Sequence, residues 1–298
     1  MRAHRILCPV DFSDPSRRAL HHAAALASRE GAALYVLYVV PAAMPLPVPI
    51  LMLALRSTVL DAKASATEAL DAFLAGAALP RQPVAIVREG PPVEAILACA
   101  ADIAADLIVL GSHGRDGLGH VLFGSTAERV LHKAPCPTLI VPLHAEEPAS
   151  ADGVRFTRVV CAVDFSPAST RALGLAVSMA QDHGAELTVL HVVEAVAEDA
   201  LEGALPPVVR AHVDELTSLA RMGLHAALAR DAHARCVLHE VVRYGRAARA
   251  IPREAADRGA DLIVLGSHGH RGLGLLGIGS TTHAVVCRAT CPVLTTGP

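Results

Sequence analysis

Residues 105–126 read ADLIVLGSHGRDGLGHVLFGST, and residues 260–281 read ADLIVLGSHGHRGLGLLGIGST. Sixteen of the 22 aligned positions are identical, at an offset of 155 residues. Each stretch opens on an apolar run, LIVL, and passes directly into glycines. An apolar run without polar alternation suits a strand of a parallel sheet covered on both faces. A second repeat lies further out: CPVDFS at 8–13 matches CAVDFS at 161–166, at an offset of 153. Two repeats at nearly one offset mean that two copies of a single domain are fused in tandem. The length of 298 residues fits two domains of roughly 150 each.

Working outward, β-rich apolar runs alternate with alanine-rich segments in both copies. The expected strands of the first copy are 6–10, 34–40, 84–87, 107–110 and 138–141. Their counterparts in the second are 159–163, 187–193, 236–242, 262–265 and 293–295. Segments 16–28, 65–74 and 93–104 have helical compositions. This alternation predicts βαβ units, so the fold class is α/β with two tandem doubly wound parallel sheets of five strands each. In such sheets the ligand crevice lies beyond the carboxyl ends of the strands. Domain boundaries are expected at 1–144 and 157–298, with a small, polar linker at 145–156.

Composition excludes several classes. Hydrophobic residues make up 52% of the chain, which rules out intrinsic disorder. Twenty-six basic residues against 29 acidic ones, with no basic stripe, leave nothing to drive counterion release, so no nucleic acid is expected. The apolar stretch from Val36 to Leu55 is broken by Pro41, Pro45, Pro47 and Pro49, so it reads as a loop, and no membrane span is expected. That loop is either a partner surface or, preferred here, a lid over its own crevice. Residues 1–5 lead straight into a strand-like run with no signal-peptide pattern. Seven cysteines, an odd number, show neither a C-x-x-C pair nor a disulfide framework. Reduced thiols and a cytoplasmic location follow as expectations.

The chemistry concentrates in the glycine loops. Gly111-Ser112-His113-Gly114 is followed after nine residues by Gly124-Ser125, and Gly266-Ser267-His268-Gly269 after nine by Gly279-Ser280. Glycine lets a backbone approach a ligand closely. Ser125 and Ser280 are expected to open helices, whose free N–H groups and positive dipole end receive phosphates. The loops match neither the Walker A pattern nor G-x-G-x-x-G. The competing reading makes these glycines tight turns and packing points. The doubling of the loop, after a strand and before a helix each time, favours phosphate. Asp11 and Asp164 end the first strands, where a carboxylate can accept hydrogen bonds from a ribose or base; the alternative is that Asp11 or Ser13 merely caps the next helix. His283 and Cys287 share a helix face and raise a weaker zinc alternative with Cys291, His268 and His270. Ser112-His113 and Ser267-His268 look like nucleophile pairs, but sequence neighbours rarely face one another correctly.

V-D-F-S, the G-x-x-G, nine residues, G-S pattern, and the closing CPTLIVP at 136–142 and CPVL at 291–294 together resemble the universal stress protein family. The resemblance covers nearly all of both copies. It implies a tandem member with strand order 3-2-1-4-5 in each copy and an adenine-nucleotide alpha-hydrolase-like fold. The intact glycine motif implies the ATP-binding type. Asp11 and Asp164 would then hold the ribose or adenine end, and Val39 and Val192 would lie against the adenine. Pro9 would line the first site, where the second carries Ala162. Gly111, Gly114, Gly124 and Ser125 would cradle phosphates in the first copy, and Gly266, Gly269, Gly279 and Ser280 in the second. Arg115 is replaced by His270 and Glu128 by His283, so the first site is expected to be the tighter. The expected cofactor is ATP, with or without magnesium, and the expected role is nucleotide-dependent stress response or regulation, not enzymatic catalysis. A slow nucleotide hydrolase or nucleotidyl transferase in the same crevice is the alternative, and a binding module with one copy emptied is a third. The two copies are expected to pack through their last strands as an internal pseudo-dimer, with a further homodimer equally open.

Overall fold

The computed structural model describes residues 3–41, 51–112, 123–147, 154–194, 206–229, 236–269 and 279–296, with backbone alone for 51–62. The first copy runs β1 (Arg5–Val10), α1 (Asp14–Glu30), β2 (Ala33–Val40), α2 (Leu51–Gly76), β3 (Val84–Glu89), α3 (Pro92–Asp102), β4 (Leu107–Gly111), α4 (Ser125–Lys133) and β5 (Thr138–Val141). The second runs β6 (Arg158–Ala162), α5 (Pro167–His183), β7 (Glu186–Val193), α6 (Pro207–Ala229), β8 (Leu238–Tyr244), α7 (Ala247–Asp257), β9 (Leu262–Gly266), α8 (Ser280–Arg288) and β10 (Val293–Thr296). Parallel α/β architecture is therefore what the chain adopts. One expectation changes: the apolar run from Leu51, read as loop, opens α2. The prolines stop at Pro49, and Leu, Met and Ala are good helix formers.

Two compact units form. One holds Ala3–Cys136 with Glu147–Val154; the other holds Pro137–Glu146 with Arg155–Pro298. In the first unit the strands lie in the order β3-β2-β1-β4, all parallel. In the second, the second copy reads β8-β7-β6-β9-β10, the expected 3-2-1-4-5, again all parallel. β5 belongs to this second unit although the first copy encodes it. It pairs antiparallel with β10, Thr138 opposite Thr295, Leu139 opposite Leu294 and Ile140 opposite Val293.

The central strands are buried throughout, as parallel strands sandwiched by helices must be. Ile6, Leu7, Cys8, Ile108 and Val109 are fully inaccessible in the first unit, and Leu262, Ile263 and Val264 in the second. α1 and α5 are set by matching signals. Ser13 and Ser166 cap them, accepting from the N–H groups of Ser16 and Ser169 at 3.3 and 3.2 Å. Pro15 and Pro167 follow in the first turn, where a missing N–H costs nothing. Gly31 and Gly184 end the two helices at φ +70° and +63°. These caps fix where each helix begins, just beyond the end of β1 or β6.

Candidate functional site

β4 and β9 both read LIVLG and end at a glycine that touches the neighbouring helix start. A methyl on Gly111 would come within 2.8 Å of the Pro15 carbonyl oxygen, and one on Gly266 within 3.0 Å of Ala168. The first glycine of each loop is therefore required by packing of strand against helix. The loops leave and return at tied ends: Gly124 N–H donates to the Ser112 carbonyl at 2.9 Å, and Gly279 N–H to the Ser267 carbonyl at 3.1 Å. In the second copy the Thr282 hydroxyl adds a bond to the Gly266 carbonyl at 2.9 Å. Gly114, His113, Arg115, His270 and Arg271 lie outside the described residues.

The N-cap of α4 is Gly124 and that of α8 is Gly279, one position before the expected serines; Ser125 and Ser280 are the first helical residues and are exposed. A glycine carries no side chain to cap a helix, and neither helix start receives a side-chain cap bond among the described residues. The first-turn N–H groups thus point out with the positive end of the helix dipole, the chemistry that receives an anion.

Asp11 and Asp164 follow β1 and β6, the strands beside β4 and β9, and brace the turn out of the first strand. Oδ1 of each accepts the N–H of the serine two residues on, Ser13 or Ser166, at 3.0 Å. The Ser13 hydroxyl donates to Asp11 as well. Of the two capping alternatives the serine is the cap, and the aspartate holds it. In the second copy, a methyl on Gly269 would drive into Oδ2 of Asp164, so loop and carboxylate are brought together. Pro9 and Ala162 are buried within β1 and β6, in register with Leu37 and Leu190. Val39 and Val192 are half-buried near the carboxyl ends of β2 and β7, in register with Arg88 and Arg243.

Sequence reasoning missed the residue that follows each aspartate. Phe12 and Phe165 have φ of +66° and +65°. That region is rare for a bulky side chain and costs about 1–3 kcal/mol. Only spacing hinted at it: Phe12 and Phe165 recur at the 153-residue offset, and their ring neighbours Tyr38 and His191 occupy matching positions at that offset.

Other constellations gain geometry. The Ser267 hydroxyl does face its sequence neighbour, 2.9 Å from His268 Nδ1, but Ser267 is fully buried, which denies a substrate access to that oxygen. His283 Nδ1 and Cys287 Sγ lie 3.9 Å apart, and among the described residues no group of three or more His, Cys, Asp or Glu gathers to hold a metal. Burial in β1 and β6 pushes the Cys8 and Cys161 thiols far up from their ordinary value. Among the described residues no helix is long and apolar enough to cross a membrane.

Comparison with known proteins gives the family. Residues 2–142 and 155–296 each match the universal stress protein family. A universal stress protein of Mycolicibacterium smegmatis is 32% identical over 199 residues, 66% of this chain and 64% of that protein. One from Thermus aquaticus is 37% identical over 137 residues, 46% of this chain and 96% of that protein. The alignment thus spans less than two thirds of the mycobacterial relative. The crystal structure of a universal stress protein from Archaeoglobus fulgidus covers 100% of this chain and 99% of its own at a TM-score of 0.64; its 22% identity shows the shared fold. The chain belongs to the universal stress protein family and carries two copies of its domain in tandem.

Proposed function

We propose that this chain binds ATP in two crevices, one per copy, and acts as a nucleotide-dependent stress-response or regulatory protein. The observation that carries the reading is the doubled arrangement at the strand ends: a tied glycine loop, a helix start without a side-chain cap, and an aspartate after the neighbouring strand. The helix N–H groups, with Gly114, Gly124 and Ser125 or Gly269, Gly279 and Ser280, receive phosphates. Gly111 and Gly266 seat the loops. Asp11 and Asp164 take the nucleoside end, and Val39 and Val192 with Pro9 and Ala162 form its apolar wall. The domains run 1–144 and 157–298, joined by 145–156. The nucleotide acts by favouring the chain arrangement for which its affinity is greater. The first site is the tighter, because Arg115 at its loop becomes His270 in the second.

The test is to denature freshly purified protein and quantify the released adenine nucleotides. About two ATP per chain supports two binding sites, whereas a predominance of ADP transfers the reading to slow hydrolysis. Calorimetry on Gly114→Val and Gly269→Val ranks the sites; equal losses of affinity overturn the ranking. Protein that is empty and shows no thermal stabilisation by ATP overturns the reading itself, since ligand at 100 times its Kd stabilises by about 2.7 kcal/mol.

A further inference from the structure

The left-handed phenylalanines are held by different means in the two copies. In the first, the Phe12 ring lies 4.3 Å from Tyr38 of β2 and 5.3 Å from Phe73 of α2, with the Arg17 guanidinium 4.4 Å over Phe73. In the second, Phe165 stacks on His191 of β7 at 4.5 Å, the rings 27° apart. Gly223 of α6 meets the outer edge of this partly exposed ring, where a methyl would come within 2.7 Å of Cζ. His191 is itself anchored, its Nδ1 donating to the Val163 carbonyl at 2.9 Å. One backbone conformation reached through two sets of neighbours indicates that the conformation matters. Its local effect is the same in both: it turns the chain so that the serine N–H meets the aspartate Oδ1 at 3.0 Å.

We propose that Phe12 and Phe165 are positioning residues for the nucleoside end of each crevice. The ring, pinned against the second strand, holds the D-F-S turn left-handed and so fixes the carboxylate of Asp11 or Asp164. This rests on the nucleotide reading and divides the site in two: the rings serve the aspartates, and the glycine loops serve the phosphates. A purely structural ring would instead support both ends alike.

The experiment compares ATP with inorganic tripolyphosphate as ligands of the full chain, by calorimetry alongside thermal unfolding. In the Phe12→Ala, Phe165→Ala double variant, ATP affinity falls roughly tenfold as the turn relaxes out of the disfavoured region, while tripolyphosphate affinity stays within about twofold. The matching double glycine variant keeps the left-handed turn without strain and retains more ATP affinity than the alanine variant. Equal loss of ATP and tripolyphosphate affinity makes the rings merely structural. Equal ATP loss in the glycine and alanine variants means that the rings act by direct contact. Either outcome, or no loss, overturns the proposal while leaving the nucleotide reading intact. A wild-type chain that binds no ATP overturns both.

Discussion

Gly266 and Gly269 stand three residues apart in one loop and do different work. Gly266 is pressed against the first turn of α5, as Gly111 is against Pro15, so added atoms there meet backbone that cannot step aside. Gly111→Ala or Gly266→Ala should destabilise the fold by about 1–3 kcal/mol, the usual range for overpacking, and chemical denaturation would measure it. Gly269 meets a side-chain carboxylate instead, so Gly269→Ala should spare stability and weaken ATP binding at the second copy. Unchanged stability in the first pair would mean that the contact yields. Spacing flagged every one of these glycines, but it could not sort packing from binding, because the sort depends on which neighbour lies within 3 Å of an absent Cβ. The phenylalanines were harder still. The motif V-D-F-S shows an aspartate at a strand end, while the neighbours packed around Phe12 and Phe165 come from β2, α2, β7 and α6, far along the chain.

Helix starts show a similar division between local and tertiary information. At α1 and α5 the signal is local, a serine followed by a first turn that includes proline, although the sequence alone left Asp11 and Ser13 as alternative caps of α1. Ser13→Ala and Ser166→Ala should each cost about 1 kcal/mol in urea denaturation, because the cap bond to Ser16 or Ser169 N–H is lost. A cost near zero would show that Asp11 and Asp164 take over the cap. α4 and α8 begin one residue earlier in capping terms than serine preference suggests, because the glycine N–H is tied back across the loop mouth to Ser112 or Ser267. That bond spans twelve residues and is invisible to local propensity. α2 was the opposite case. Its first turns carry a nearly unbroken apolar run, and apolarity without periodicity does not distinguish a helix from a covered loop.

At the scale of the molecule, two consequences follow from what is buried. Cys136 and Cys291 flank the closing strands, and burial, the leading cause, pushes both thiols up to about 12 from 9.0. A thiol whose pKa is raised by folding adds stability that is complete below the unfolded value and is lost as pH climbs toward the folded one. Stability should therefore decline between about pH 9 and 12, on the order of 1 kcal/mol per thiol per pH unit. If the decline persists undiminished in the Cys136→Ala, Cys291→Ala variant, the thiols are not its cause. The second consequence concerns β5. Repetition in the sequence identified it as a strand, since CPTLIVP echoes CPVL, but repetition cannot say which strand it pairs with. Its three residue pairs with β10 place it in the unit of the second copy, where Thr138, Leu139, Ile140 and Val141 are all buried. A fragment beginning at Arg155 lacks that strand and leaves the N–H and C=O groups of β10 as an unpaired, apolar edge, which invites association with another chain. A fragment beginning at Pro137 keeps it. The shorter fragment should therefore unfold at lower denaturant than the longer one, as read by urea titration. Identical stability for the two fragments would show that β5 is a passenger on the sheet and that the second copy closes its own edge.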